Sequence, residues 1–440
     1  MHSSQPPQLN HPGGATPPAA DSGPDEQRFR IFTEDFARDP HSFYRAMRQR
    51  HPKLVPIEID EGVPATLVIN YDTAKRILHD PDHFSADPRM WQQILSHQWP
   101  GRKFDFMPMV EYRTNALRSD GNTAVHRRYR TATQDALAGV KLSELERQLR
   151  VVAHEQINSF CTQGAGVDNP FDLVTGYILP TMGAMLNYMV GSTPDIIARI
   201  AKASADLFDG QDTADTNRQL ESALTDLIMM KRETLGDDIT SRLIMHPAAL
   251  STEEIVQQLV TCLSAGTQLP ADLAASALRL ILTEFSPDGT ALSTKTALIQ
   301  VLVNDPPLAN YLLTYPRHPV LVEDRWLPAH EPVIVSMAAC SSNPSLNVQQ
   351  DFYHDGWHFS WGLGPHECPQ HAQNHSYTLI TGLIDTLLDI LPDIQLAVPE
   401  QQLLWRKGPF ARGLVSLPVT FAPTPQVPRE LYSAPQLGPI

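Results

Sequence analysis

The sequence predicts a mainly α-helical protein carrying a small β-sheet. Three observations lead there. Apolar residues recur at three- and four-residue steps through most of the chain between about residues 122 and 285. Runs with strand-like alternation are few and short. The 440 residues, 42% of them hydrophobic, provide for a sizeable core.

Taken in order, residues 1–28 are rich in Pro, Ser and Gly and lack the apolar run of a secretory signal or membrane anchor, so a disordered lead is expected. No linker or repeat interrupts residues 29–422, which are expected to form one domain. Residues 423–440 read as a Pro-rich tail lying over the surface. The alternation Ala65-Thr-Leu-Val-Ile-Asn70 predicts a strand, after which Asp72 is placed to cap a short helix with Ala74, Ile77 and Leu78 on one face. Helices are expected over 122–138, 141–160, 171–190, 194–208 and 215–233.

Ser251-Thr-Glu-Glu254 is a capping box, and helical spacing continues behind it to about Phe285. At ~1.5 Å per residue that element is roughly 50 Å long. Pro270 lies inside it, directly after Ala265-Gly-Thr-Gln-Leu, and an interruption with a kink is expected there. Short strands are expected at Pro332–Ser336 and Leu414–Phe421. A last helix carries the stripe Leu379, Ile380, Leu383, Ile384, Leu387, Leu388 and Leu391.

Net charge of −15, spread along the chain, disfavours nucleic acid or an anionic membrane as partner. The four cysteines, at 161, 262, 340 and 368, show no close pairing, which suits a reducing compartment such as the cytoplasm rather than a disulfide framework. The chemistry concentrates in residues 359–375, FSWGLGPHECPQHAQNH. Cys368, His371 and His375 have tolerable spacing for a zinc clip, although a structural site needs a fourth ligand. Alternatively Cys368 is a single thiolate, favoured because the positive end of the following helix lowers a thiol pKa.

Trp361-Gly-Leu-Gly-Pro-His-Glu-Cys-Pro-Gln370 resembles the cysteine loop of the cytochrome P450 superfamily, the haem-thiolate monooxygenases. Gly362, Gly364, His366 and Cys368 match the family pattern, whereas Trp361 and Gln370 replace its aromatic and its last glycine. Other segments follow in the family's order from about residue 35 to 421. They include Asp39–Tyr44, Val68–Asp72, the pair His126 and Arg130, Ala265-Gly266 and Tyr315-Pro-Arg-His318; Asn304–Tyr311 looks most like actinobacterial members.

The resemblance implies haem b (iron protoporphyrin IX) held between the long central helix and the helix after the cysteine. Cys368 would be its axial ligand and Ala265 and Gly266 would lie where the central helix crosses it. His126, Arg130, Arg317 and His366 would serve its propionates. It further implies monooxygenation of a small organic, secondary-metabolite-like substrate, with ferredoxin and ferredoxin reductase as electron donors. A substrate roof would come from the segment containing Met90, Trp91, Phe106, Met107 and Met109. Read from the residues alone, His126 and Arg130 fit equally a solvated basic patch with Arg127 and Arg128, and Arg317 fits a surface arginine.

Departures are as informative as matches. The acid and threonine that hand protons toward oxygen in the family become Gln268 and Leu269, and neither cycles a proton near neutral pH. The Glu-x-x-Arg pair becomes Gln300 and Val303, and residues 344–359 contain no Arg or Lys to complete the family's charge network. Removing every member strands no buried charge, so the loss is concerted. These changes support an alternative function, a haem-binding sensor or partner subunit without turnover.

Pro369 removes a backbone N–H beside the thiolate, and fewer donors to sulfur leave more electron density on iron. The reduction potential is therefore expected to lie below that of Pro369→Gly in a redox titration, and equal potentials would refute the argument.

Overall fold

The computed structural model describes residues 27–200, 213–284, 292–343 and 358–432. They group into two compact units, each assembled from several stretches of chain. The first holds residues up to 128, 303–368 and 406–412; the second holds 129–302, 369–405 and the residues from 413 onward.

In the first unit a six-stranded sheet runs in the order Phe29–Arg30, Leu54–Asp60, Val63–Val68, Val333–Ser336, Asn310–Pro316, Phe84–Ser85. Val63–Val68 and Val333–Ser336 pair in parallel, with Leu67 opposite Ile334. Because side chains alternate along a strand, the sheet builds two cores. Leu67 and Ile334 join Trp91, Phe106 and Phe410 in one, while their neighbours Val68 and Val335 join Phe84 and Phe359 in the other. The strand expected at residues 65–70 is the Val63–Val68 member. The helix after it, Tyr71–Leu78, is capped by Asn70 rather than by the expected Asp72: the Asn70 carboxamide accepts the Thr73 amide at 3.0 Å, and Asp72 falls inside the first turn. Asp and Asn cap equally well, so the extended backbone at residue 70, which ends the strand, decides between them.

The second unit is helical. Its longest element, Thr252–Thr283, opens with the expected capping box, the Ser251 hydroxyl accepting from Glu254 N–H at 3.2 Å and the Glu254 carboxylate accepting from Ser251 N–H at 2.8 Å. The helix runs through Pro270 to Thr283, as the helical spacing behind the capping box predicts. It packs on Leu179–Val190, Thr213–Glu233 and Gln370–Ile390, and the last of these also packs on Leu142–Asn158. Neighbours on several sides hold the helical path that Pro270 alone would break.

The helix expected over 171–190 starts late. Phe171–Asp172 is a strand paired with Pro418–Thr420, followed by a π-helical turn Val174–Ile178 and the helix Leu179–Val190. Asp172 causes the break, since its carboxylate accepts the amides of Val174 at 3.1 Å and Leu417 at 2.8 Å and the Thr175 hydroxyl at 2.6 Å. The strand expected at Leu414–Phe421 shortens to Pro418–Thr420. The tail is pinned over its described part: Asn158 and Val427 exchange two hydrogen bonds of 2.9 Å, and Tyr432 stacks on His154. The helix expected over 194–208 is described only to residue 200. Nearly all of the 1–28 lead and residues 344–357 of the arginine-free stretch lie outside the described residues. Among the described residues no helix is long and apolar enough to cross a membrane.

On Gln370–Ile390 the two histidines of the zinc alternative separate, with His371 exposed and His375 only 3% exposed. Burial pushes the His375 imidazole below its ordinary pKa, against a hydrogen bond to the Val140 backbone carbonyl that works the other way, and His371 adds to the depression. The folded state therefore resists a proton that the unfolded chain takes up below a pKa of ~6.5. Stability is expected to fall as pH drops through that value, by up to about 1.4 kcal/mol per pH unit, and to be unaffected above it. Denaturant midpoints of the wild type and His375→Leu should diverge between pH 6.5 and 5 and stay parallel from pH 7 to 8; parallel curves throughout would sink the assignment.

Candidate functional site

The cysteine loop is shaped by its own backbone. Gly362 N–H donates to the Phe359 carbonyl at 2.7 Å, Glu367 N–H to Gly364 at 3.1 Å, and Cys368 N–H to Trp361 at 2.7 Å, closing residues 359–368 on themselves. Phe359, 1% exposed, anchors the start of the loop by stacking on Tyr71 at 4.3 Å. Gly364 has φ +76°, and a Cβ there would stand 2.8 Å from the Leu78 carbonyl oxygen. No other residue suits a left-handed backbone this close to a neighbouring chain.

Two histidines clip the loop to the segment before helix Ala124–Ala138. His366 Nε2 donates to the Ser119 carbonyl at 2.8 Å, and His126 Nε2 donates to the Pro365 carbonyl at 3.1 Å. Their rings meet edge to face, 4.8 Å apart. His126 is 3% exposed, so the solvated-patch reading does not describe it. Gly121, which the sequence reading passed over, makes the clip possible: a Cβ on it would lie 2.4 Å from the Pro365 side chain. Its one sequence signal is the Asp120-Gly121 turn just ahead of the helix.

Arg317 donates to Asp120 at 2.6 Å and to the Pro81 carbonyl at 3.2 Å, so a protein carboxylate occupies part of its donor fork. Burial by itself would raise the Asp120 pKa. Hydrogen bonds from Ser85, Arg317 and the Ala86 amide outweigh it and hold the group below its usual value, a fixed anion at neutral pH. His126, His366, Arg317 and Cys368 thus share the first unit, with Cys368 its last residue before the helix Gln370–Ile390. Arg130 follows His126 by one turn on Ala124–Ala138, half-buried, in the second unit.

The long helix of the second unit is buried from Ile255 to Val260 and from Pro270 to Ile281 along most of its positions. Between them Ser264 and Ala265 are exposed and Gly266 to Leu269 half-buried, a window of small residues in an otherwise covered element. Gly266 also lets the Leu186 side chain approach, since a Cβ would meet it at 2.8 Å. Beyond the window stands a group the sequence reading missed. Asp272, 2% exposed, accepts a 2.9 Å hydrogen bond from the Gln268 carboxamide one turn earlier. The i, i+4 spacing in the sequence was the available signal.

Cysteine chemistry separates Cys368 from the rest. Burial pushes the thiols of Cys161 and Cys340 up, and that of Cys262 up to about 12, which keeps all three protonated. Among the described residues no three His, Cys, Asp or Glu side chains gather to hold a metal ion, so Cys368, His371 and His375 form no zinc clip.

No family model matches the chain. Individual relatives do. The cytochrome P450 monooxygenase PikC of Streptomyces venezuelae is 24% identical over 429 residues, 92% of this chain and 95% of that protein. The vitamin D(3) 25-hydroxylase of Pseudonocardia autotrophica is 24% identical over 413 residues, 89% and 96% of the two. Among solved structures, CYP154C4 from Streptomyces sp. W2061 superposes with a TM-score of 0.75 at 22% identity, over 89% of this chain and 97% of that one. The chain belongs to the cytochrome P450 superfamily. Its mainly α architecture with small sheets is the P450 fold.

The P450 family implies haem, and the donor set suits it. One cysteine stands on a self-closed glycine loop just ahead of a helix N-terminus. At the loop, Gly364→Ala is expected to cost about 1–3 kcal/mol, because positive φ and the Leu78 carbonyl act together. Gly101→Ala, with φ +77° and nothing within 4 Å, bears only the backbone part and should cost less in paired thermal melts; equal losses would disprove the close approach.

Proposed function

We propose that this P450 is a haem-thiolate monooxygenase acting on a small organic molecule of the secondary-metabolite class. The observation that carries the proposal is Cys368 at the end of a loop held by its own amides and by two histidine-to-carbonyl bonds. In this reading haem b, when bound, supplies oxygen activation from electrons delivered by a ferredoxin and its reductase. Cys368 Sγ would hold its iron, and the adjacent helix N-terminus favours the anionic form of the sulfur. Ala265 and Gly266 provide the open, side-chain-poor surface that a planar group can approach.

The propionate side falls to His126, His366, Arg130 and Arg317. His366 is held by Ser119 and Arg317 by Asp120, so both side chains are oriented rather than mobile. In this reading Gln268 and Leu269, standing where the family carries an acid and a threonine, make proton delivery atypical. Gln268 orients but does not ionise. Asp272 carries a carboxyl group, the kind that exchanges a proton where an amide does not, and it accepts from the Gln268 carboxamide. Asp272 therefore takes the acid's part, displaced by one helical turn, with Gln268 as its positioning residue.

The reduced, carbon-monoxide-bound protein is expected to show the far red-shifted Soret band of a thiolate ligand, and Cys368→Ala to lose it. Asp272→Asn keeps the shape and removes the titrating group; product formed per electron pair should fall by roughly tenfold or more, with hydrogen peroxide released in its place. A carboxyl stretch that appears in the infrared spectrum of the apoprotein on acidification and is missing in Asp272→Asn would identify the group independently of turnover. A normal Soret band with no product from any substrate would instead favour the sensor reading.

A further inference from the structure

Three arginines among the described residues are buried: Arg118, 5% exposed, and Arg279 and Arg412, each 9% exposed. Two are paired, Arg279 with Glu400 and Arg412 with Asp305 at 2.7 Å. Arg118 differs. Its Nη2 donates to the Met109 carbonyl and, at 2.7 Å, to the Tyr311 hydroxyl, both neutral acceptors, and it makes no ion pair among the described residues. The Tyr311 ring lies 5.6 Å from the guanidinium carbon. The N–H groups on Nε and Nη1 find no acceptor among the described residues.

A second observation points the same way. Tyr315, 2% exposed and influenced by the Arg118 charge, buries a hydroxyl that has no partner. Trp91 lies 5.7 Å from its ring and Phe106 stacks on Trp91 at 5.9 Å, so the polar groups are set in an aromatic wall. A buried guanidinium without an anion is strongly disfavoured, and an orphan phenol adds to the deficit. One monoanionic, planar acceptor answers both groups.

We propose that Arg118 and the Tyr315 hydroxyl form a carboxylate-binding site. A carboxylate offers two oxygens to a guanidinium edge and retains lone pairs for a phenol, and its single charge balances a single arginine. The aromatic wall suits the organic body of such an acid better than inorganic phosphate. Two sources carry this chemistry, an acid group on the substrate and a propionate of haem; the second rests on the proposed function above.

Calorimetric titration separates them without relying on a haem spectrum. In the first arm 1-naphthoate and dodecanoate, each against its methyl ester, are titrated into the holoprotein. In the second, iron protoporphyrin IX and its dimethyl ester are titrated into the apoprotein. The wild type should prefer the free acid by about tenfold or more in one arm, Arg118→Lys should keep much of that preference, and Arg118→Met should abolish it. A preference that Arg118→Met removes in the first arm assigns the site to substrate; one that Arg118→Met cuts by about tenfold or more in the second, where His126, His366, Arg130 and Arg317 also serve propionates, assigns it to cofactor. Tyr315→Phe guards against misfolding of the methionine variant: it should leave thermal stability unchanged or raised, having removed an unpartnered hydroxyl, while cutting the preference at least threefold. Equal affinity for acid and ester in both arms, or a preference that Arg118→Met leaves intact, overturns the site. The carbon monoxide spectrum of the same wild-type sample tests the haem-thiolate reading separately.

Discussion

The position of Cys368 depends on the imidazole-to-carbonyl clip between residues 119–126 and 365–366. A loop containing two left-handed glycines has many conformations open to it in isolation, and three internal amide bonds do not select one orientation relative to the sheet. His366 reaching Ser119 and His126 reaching Pro365 do select one, because each ring satisfies a carbonyl of the other's segment. The reciprocity also fixes the tautomer of one ring. A carbonyl only accepts, so Nε2 of His366 carries a proton, while His126 faces a carbonyl at each ring nitrogen, Pro365 at 3.1 Å and Ser119 at 3.2 Å. Gly121 belongs to the same device, since any larger residue would hold the two segments apart.

Around the clip, charge is managed locally. Asp120 collects Ser85, Ala86 and Arg317, which ties the strand Phe84–Ser85 and the end of Asn310–Pro316 to the turn that carries Ser119. The family's other charge network has gone instead of moving. On Thr294–Asn304, Val303 is 5% exposed and Val301 and Leu302 are 1% exposed, so the arginine position is now ordinary apolar packing. Replacing a complete buried ionic set with apolar residues of fitting size costs little, whereas removing one member is severe.

Periodicity made the helices legible: the expectations over 122–138, 141–160 and 215–233 each met a helix within a few residues of the expected bounds. It failed where a side chain competes with the backbone, as Asp172 does, because a carboxylate accepting neighbouring amides leaves no mark on apolar spacing. At the site, Cys368 and His366 were legible from a compact motif. Gly121 and Asp272 were not, since what makes them matter is a neighbour far away in sequence or a burial that spacing alone does not reveal. The placement of His375 shows the same limit: a histidine one turn from an exposed His371 reads as surface until burial is known.

The chain aligns with P450 monooxygenases over about nine-tenths of its length while no family model matches it. Physically these are compatible. A fold is held by many small apolar contributions, each open to substitution by a residue of similar size, so the architecture survives at 24% identity. A signature is held by few residues whose chemistry has no substitute of another type. Here Val303, Gln268, Pro369 and Gln370 stand at positions that the resemblance sets against that signature. What has stayed are the parts that fix one sulfur in place: the glycines of the loop, its closing amides and the two histidines. Those parts converge on one residue, since the loop amides close the chain around Cys368 and the two histidines fix where that loop stands.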